Sequence, residues 1–212
     1  MATEKRVLIT AGPTWVAIDK ARVISNIASG ETGFILAGRF KKLGAKVTLL
    51  LGPGYFCGAE TGIKIKRFKY FAELELLLEN ELKNGKYAAV IHTAAVADYK
   101  PDKIIKSKIG SSRQRWKISL VPTKKLINNI RGWGNNLFTV GFKFEPDADS
   151  NKLIKEGKAL LNQADLDLVV TNSNINKNYC AYILDNADHW GPFFTKGKMA
   201  GRLVKLVGKK LI

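Results

Sequence analysis

Short apolar runs alternate with stretches in which apolar residues return every three to four positions, and the alternation persists along the whole chain. Residues 6–10, 46–51, 63–68 and 88–93 read as strands, while 33–43 and 71–82 have the spacing of helices buried on one side. The pattern goes on with a strand over 116–121, a short helix over 124–130, a strand over 138–144, a helix over 151–161 and a strand over 168–171. Residues 180–184 and 190–194 read as edge strands, and Met199, Leu203, Leu206 and Val207 recur at the spacing of a C-terminal helix. Strands so continuously apolar must be covered on both faces, as in a parallel sheet. The expected fold class is therefore α/β, a Rossmann-like and mostly parallel sheet with helices on both faces and a few edge strands. At 212 residues the chain can bury its own core, and one domain spanning 1–212 is expected.

Composition bears on location and partners. No apolar run approaches the ~20 residues of a membrane helix, and charged residues occupy the N-terminus where a secretion leader would be apolar. A cytoplasmic protein without a membrane partner is expected. Cys57 and Cys180 lack metal-ligand spacing, so neither a disulfide framework nor a zinc site is expected, and no metal ligands are assigned. Charge says more: 35 Lys and Arg stand against 18 Asp and Glu, a net charge of +17 that would concentrate any polyanion. Much of the excess lies within 100–131, where Lys103, Lys106, Lys108, Arg113, Arg115, Lys117, Lys124 and Lys125 face only Asp102. Lys198, Arg202, Lys205, Lys209 and Lys210 read instead as the solvated face of the last helix.

Ligands of an open parallel sheet collect beyond the carboxyl ends of its strands, where the strand order reverses. Four segments leave such ends: 11–33, 94–110, 141–146 and 171–178. The first closes with Ala28-Ser29-Gly30-Glu31-Thr32-Gly33, which approximates G-x-G-x-x-G with alanine in the first place. Gly30 would let the backbone approach a phosphate, and Gly33 would let the next helix pack closely on the sheet. The basic cluster emerges beside this loop, a placement suited to a triphosphate; nucleic acid needs a wider footprint and is not the expected partner. The second strand ends Leu49-Leu50-Leu51-Gly52-Pro53, without the Asp or Glu that a dinucleotide site uses to hold the ribose.

The segments GPTWVAIDKARVISNIASGETG, HTAAVADYKP, KSKIGSS, LVPTKKLI, VGFKFE and DLVVTN follow in this order over most of the chain. Together they resemble phosphopantothenate-cysteine ligase, also called phosphopantothenoylcysteine synthetase, of coenzyme A biosynthesis. The resemblance implies that the carboxylate of 4'-phosphopantothenate attacks the α-phosphate of CTP, or of ATP in some relatives, and releases pyrophosphate. The amine of L-cysteine would then displace the nucleoside monophosphate from the acyl-nucleotide. Mg²⁺ and protein cations would screen the approach of two anions. A homodimer with substrate near the subunit interface is implied as well. The flavin-dependent decarboxylase fused upstream in many bacterial relatives is not in this chain, so a stand-alone ligase without FMN is expected.

The resemblance also implies roles for single residues. The family's catalytic asparagine falls on Asn26, an amide able to donate and accept. Arg22 would pair with phosphate or carboxylate, while Asp19 braces the loop rather than reacting. Nucleotide contacts are implied for Gly12, Ser29 and Gly30 in the first loop. His92, Thr93 and Ala94 would meet the base through backbone groups, the His92 side chain being buried and structural, and Asp98 would reach the sugar. Lys108 would bind the triphosphate. Lys124, Lys125, Leu126 and Ile127 occupy the segment that closes over the base, Phe142 supplies an apolar wall or is plain core, and Lys158 is a further nucleotide lysine. Departures from the family pattern are Ala28 for a serine, Asn162 for a lysine and Lys124 for a proline. Two other readings stand beside the ligase: a nicotinamide-dependent reductase, which lacks a suitably placed Tyr-x-x-x-Lys pair and ribose acid, and a basic nucleic-acid-binding module suggested by charge alone.

Overall fold

The computed structural model describes residues 5–54, 61–110, 114–176 and 178–211. In chain order the elements are β1 (Arg6–Ala11), β2 (Trp15–Ala17), β3 (Val23–Ser25), α1 (Glu31–Lys42), β4 (Lys46–Leu51), β5 (Lys64–Arg67), α2 (Phe71–Asn84) and β6 (Ala89–His92). There follow β7 (Tyr99–Pro101), β8 (Leu120–Pro122), a 3-10 turn (Leu126–Asn129), α3 (Ile130–Trp133), β9 (Phe138–Phe144), α4 (Ser150–Gln163), β10 (Leu168–Ile175), β11 (Asn178–Leu184), β12 (His189–Phe193) and α5 (Lys196–Leu211). The main sheet has the order β5-β4-β1-β6-β9-β10-β11-β12, parallel from β5 to β10 and antiparallel over the last two strands.

Both sheet faces are covered, which explains the unbroken apolar runs. Val7, Ile9 and Ala11 of β1 pack toward α1 and α5, Leu8 packs toward α2, and all four are fully buried. Each such large side chain contributes about 1.5–3 kcal/mol by leaving water. α4 covers the same face as α2, over Val169 and Leu184. The chain passes from β5 through α2 to β6 on the far side of β1, so the strand order reverses between β1 and β6. α1 sits tight against this point because Gly33 has no side chain: a Cβ there would lie 2.4 Å from that of Ala11. The Rossmann-like expectation is met, and Gly33 has the packing role read from the sequence.

Four expectations are corrected. Residues 180–184 are not an edge strand, since β11 lies between β10 and β12 in the sheet. The segment 11–33 is not a simple loop, since β2 and β3 form an antiparallel hairpin within it. The strand expected over 116–121 is not in the main sheet; only Leu120–Pro122 is a strand, and it pairs with β7 in a separate two-stranded sheet. Its apolar residues Ile118 and Leu120 are exposed, so an apolar run here marks surface rather than core. The segment 171–178 is largely strand, since β10 pairs with β11 out to Ile175, whereas β9 ends at Phe144 as read, so that only 145–146 leave its end. Thr171 and Ser173 are buried in that extension, and their polarity hid it. Cys57, Arg113, Ser111 and Ser112 lie outside the described residues. Among the described residues no helix is long and apolar enough to cross a membrane.

Candidate functional site

The chain extends β1 and β6 past their last sheet pairs, and the two extensions zip together. Thr93 N–H and Thr93 Oγ1 donate to the Thr10 carbonyl at 3.2 and 2.8 Å, and Ala94 N–H donates to Thr10 Oγ1 at 3.1 Å. Ala95 N–H reaches the Gly12 carbonyl at 3.0 Å, while Thr14 N–H returns to the Ala95 carbonyl at 3.2 Å. His92, 6% exposed, bonds through Nδ1 to Thr10 Oγ1 at 2.9 Å. Burial pushes its pKa down to about 4, so it is a neutral structural group near neutral pH. The N–H groups of Thr93 and Ala94 are thus committed to Thr10.

Asn26 follows β3 and lies on this seam. Its Nδ2 donates to the carbonyls of Ala95 and Val96 at 3.3 and 3.0 Å. Two acceptors fix which end of the amide is engaged, and Oδ1 has no hydrogen bond among the described residues on this exposed side chain. Below it, Gly30 caps α1 with φ 82°, a left-handed conformation that glycine adopts without cost, and Ser29 Oγ accepts the Glu31 N–H at 3.3 Å.

At the hairpin tip, Asp19 is 4% exposed. Its Oδ1 accepts the N–H groups of Ala21 and Arg22 at 2.8 Å each; its Oδ2 accepts Arg22 Nη1 at 2.5 Å and the Ile109 N–H at 3.2 Å. Burial alone would raise this carboxyl, but the N–H groups of Ala21, Ile109 and Arg22 and then the Arg22 guanidinium outweigh it and hold the pKa at about 2. Arg22 also donates twice to the Ile109 carbonyl, at 3.2 Å, and lies 5.2 Å from the Trp116 ring centroid. Lys108 adjoins this contact and is exposed, with no ion pair to it among the described residues. The hairpin therefore joins Asn26 to the Lys108 segment: Arg22 and Asn26 stand four residues apart on an extended strand, about 13 Å.

The remaining expected residues divide. Asp98 and Lys125 form an exposed ion pair on the rim, below the Thr123 N–H bond to the Asp98 carbonyl at 2.9 Å. Lys124 is turned to Glu75 of α2 at 3.1 Å. Leu126 is 1% exposed in the core under α2 and so presents only backbone to a ligand, while Ile127 packs beside it and is half-buried. Phe142 is half-buried on the face covered by α1 and α5. Lys158 is exposed on α4, on the opposite face and about 12 Å along the helix from its start. The structure brings Gly12, Asn26, Ser29, Gly30, Thr93 and Ala94 together and sets the Lys108 segment beside the same hairpin; it does not bring Lys158 to them. A cavity of about 350 Å³ opens elsewhere, at the amino ends of β9 and β10 between Phe138, Leu168, Trp190 and Lys210.

Sequence reasoning missed the turn after β4. A Cβ on Gly52 would lie 2.4 Å from the Pro13 carbonyl oxygen and 2.6 Å from the Phe68 ring, and one on Gly54 would lie 2.5 Å from the Ser29 carbonyl oxygen. Backbone here packs on backbone, and the first loop is held from behind. The Gly52-Pro53-Gly54 sequence carries that signal. Thr14 was missed too: buried, it accepts the Ala97 N–H at 2.9 Å.

The family described as the DNA/pantothenate metabolism flavoprotein C-terminal domain matches residues 2–209. Among curated proteins, the coenzyme A biosynthesis bifunctional protein CoaBC of Vibrio cholerae is 31% identical over 214 residues, 98% of this chain and 53% of that protein. The chain thus spans about half the length of that relative. Among solved structures, the DNA/pantothenate metabolism flavoprotein from Streptococcus pneumoniae superposes with a TM-score of 0.86 at 21% identity, over 97% of this chain and 99% of that one. A Cab2 mutant in complex with phosphopantothenate-cysteine gives 0.77 at 17% identity, over 98% and 87%. At these identities the structures establish the shared fold.

Proposed function

The chain belongs to the family of the DNA/pantothenate metabolism flavoprotein C-terminal domain, and on that premise we propose that it joins 4'-phosphopantothenate to L-cysteine, with a nucleoside triphosphate as co-substrate. The observation that supports this reading is the exposed Asn26 amide, held through Nδ2 by two carbonyls at the strand-order reversal. A relative in complex with phosphopantothenate-cysteine supports it, as do CoaBC relatives of coenzyme A biosynthesis.

In the first step a carboxylate oxygen of phosphopantothenate bonds to the α-phosphorus and the bond to pyrophosphate breaks. CTP or ATP enters with Mg²⁺ on its phosphate oxygens, as the substrate complex. Lys108 would offset the negative charge that builds on the leaving group. In the second step the neutral cysteine amine attacks the acyl carbon, the bond to the nucleoside monophosphate breaks, and the amine loses a proton to solvent. Asn26 Oδ1 accepts an N–H of the attacking amine and aims its lone pair.

We propose further that two copies associate through the hairpins at this end of the sheet. Val23, Ile27, Tyr99, Ile104, Ile118 and Leu120 are exposed there, and Ile27 is fully so. The test of the function is a product assay with phosphopantothenate, cysteine, Mg²⁺ and either CTP or ATP, following pyrophosphate and 4'-phosphopantothenoylcysteine. Formation of both products is expected with at least one nucleotide; their absence with both overturns the reading.

A further inference from the structure

We infer that the Asp19 carboxylate, extended by Arg22, is a positioning clasp that sets the lysine loop 102–110 so that Lys108 meets the phosphates of the nucleotide. This deepens, and rests on, the ligase reading. Loop 102–110 has no helix or strand of its own, and residues 102–108 are all exposed. Ile109 is its one buried residue, at 6%. Its described anchors to the first hairpin are the Ile105 N–H on the Ile18 carbonyl at 3.1 Å and both polar groups of Ile109. Asp19 takes the Ile109 N–H, and Arg22 takes the Ile109 carbonyl from both of its terminal nitrogens. One carboxylate and its guanidinium partner thus hold both backbone polar groups of a residue far along the chain, as a neighbouring strand would. Lys106 and Lys108 fall between or beside the anchors and project outward.

A further consequence concerns Arg22. Its guanidinium already serves Asp19, the Ile109 carbonyl and the Trp116 face. It acts on the substrate through the loop it holds.

Asp19→Asn separates the two halves of the clasp. An amide oxygen can still accept the Ala21 and Arg22 N–H groups that shape the turn, but its NH₂ then faces two donors, Arg22 Nη1 and the Ile109 N–H. The experiment is a double-mutant cycle read on the nucleotide KM, with thermal melting as the fold control. Lys108→Gln alone is expected to raise that KM about tenfold, as loss of a charge-assisted phosphate contact does. In the Asp19→Asn background the same change should cost about twofold or less, because Lys108 is already misplaced. The cysteine KM should not move. Full additivity of the two changes, or a nucleotide KM unaltered by Asp19→Asn, overturns the inference.

Should Asp19→Asn fail to fold, Arg22→Lys in the same cycle is read the same way, since lysine cannot donate the paired bonds to Ile109. Tryptic cleavage after Lys103, Lys106 and Lys108 gives a readout independent of turnover. If the wild-type protein makes no product, the ligase reading falls. Equal cleavage rates in the wild type and Asp19→Asn would then overturn the clasp as well, while faster cleavage in the variant at an unchanged melting temperature supports it.

Discussion

At the scale of single residues, hydrogen-bond commitments decide what a side chain can do. Asn26 was legible from its I-S-N context, but the sequence left both ends of the amide open. The two carbonyls occupy Nδ2, so the end of the amide left to a ligand is the acceptor Oδ1. Asn26→Asp would place a carboxylate oxygen against those carbonyls and should slow amide formation by about 10²-fold, the scale of losing an oriented catalytic dipole. Mass spectrometry should show the acyl-nucleotide accumulating; loss of the first step instead would assign Asn26 elsewhere. His92 yields a pH prediction. The unfolded chain takes up a proton near pH 6.5, whereas the buried imidazole resists it down to about 4. Stability is therefore whole above pH 6.5 and falls as the pH drops toward 4, by about 3 kcal/mol in total at 1.4 kcal/mol per unit. Urea midpoints at pH 7 and 5 measure it, and His92→Gln should flatten the difference.

At the scale of elements, local pattern located β4 and β9 to the residue, because a strand buried on both faces announces itself in composition. The β2–β3 hairpin and the β7–β8 pair were poorly legible for the converse reason: each has two three-residue strands, largely uncovered, so that an apolar run does not locate them. Two glycine- and leucine-centred predictions belong here. Gly33→Ala should push α1 off β1, cost about 1–3 kcal/mol by overpacking and lower the melting temperature by a few degrees, measurable by calorimetry. Leu126 tests the segment expected to close over the base. Leu126→Ala should cost about 2–5 kcal/mol of stability, as a core cavity does, with the nucleotide KM of the folded fraction changed little. A large KM effect without destabilisation would return that side chain to the ligand.

For the whole molecule, charge is segregated. α1 and α5 carry Arg39, Lys41, Lys42, Lys196, Lys198, Arg202, Lys205, Lys209 and Lys210 against Glu31, while α2 carries four glutamates and Lys83. Association of two copies is expected to follow the apolar hairpins rather than this basic layer. Sedimentation should find a dimer, and Ile27→Asp together with Leu120→Asp should yield monomers; an unaffected dimer would move the interface elsewhere. The sequence by itself determined the parallel sheet and marked the strand-order reversal and Asn26 as candidates for the site, since periodicity and motif are properties of neighbouring residues. Only the tertiary structure decided that Thr10 uses up the N–H groups of Thr93 and Ala94, that Lys124 turns to Glu75 and that Asp19 grips Ile109. Each of these pairs residues distant in the chain, and which donor meets which acceptor is settled when the two are brought within about 3 Å of each other.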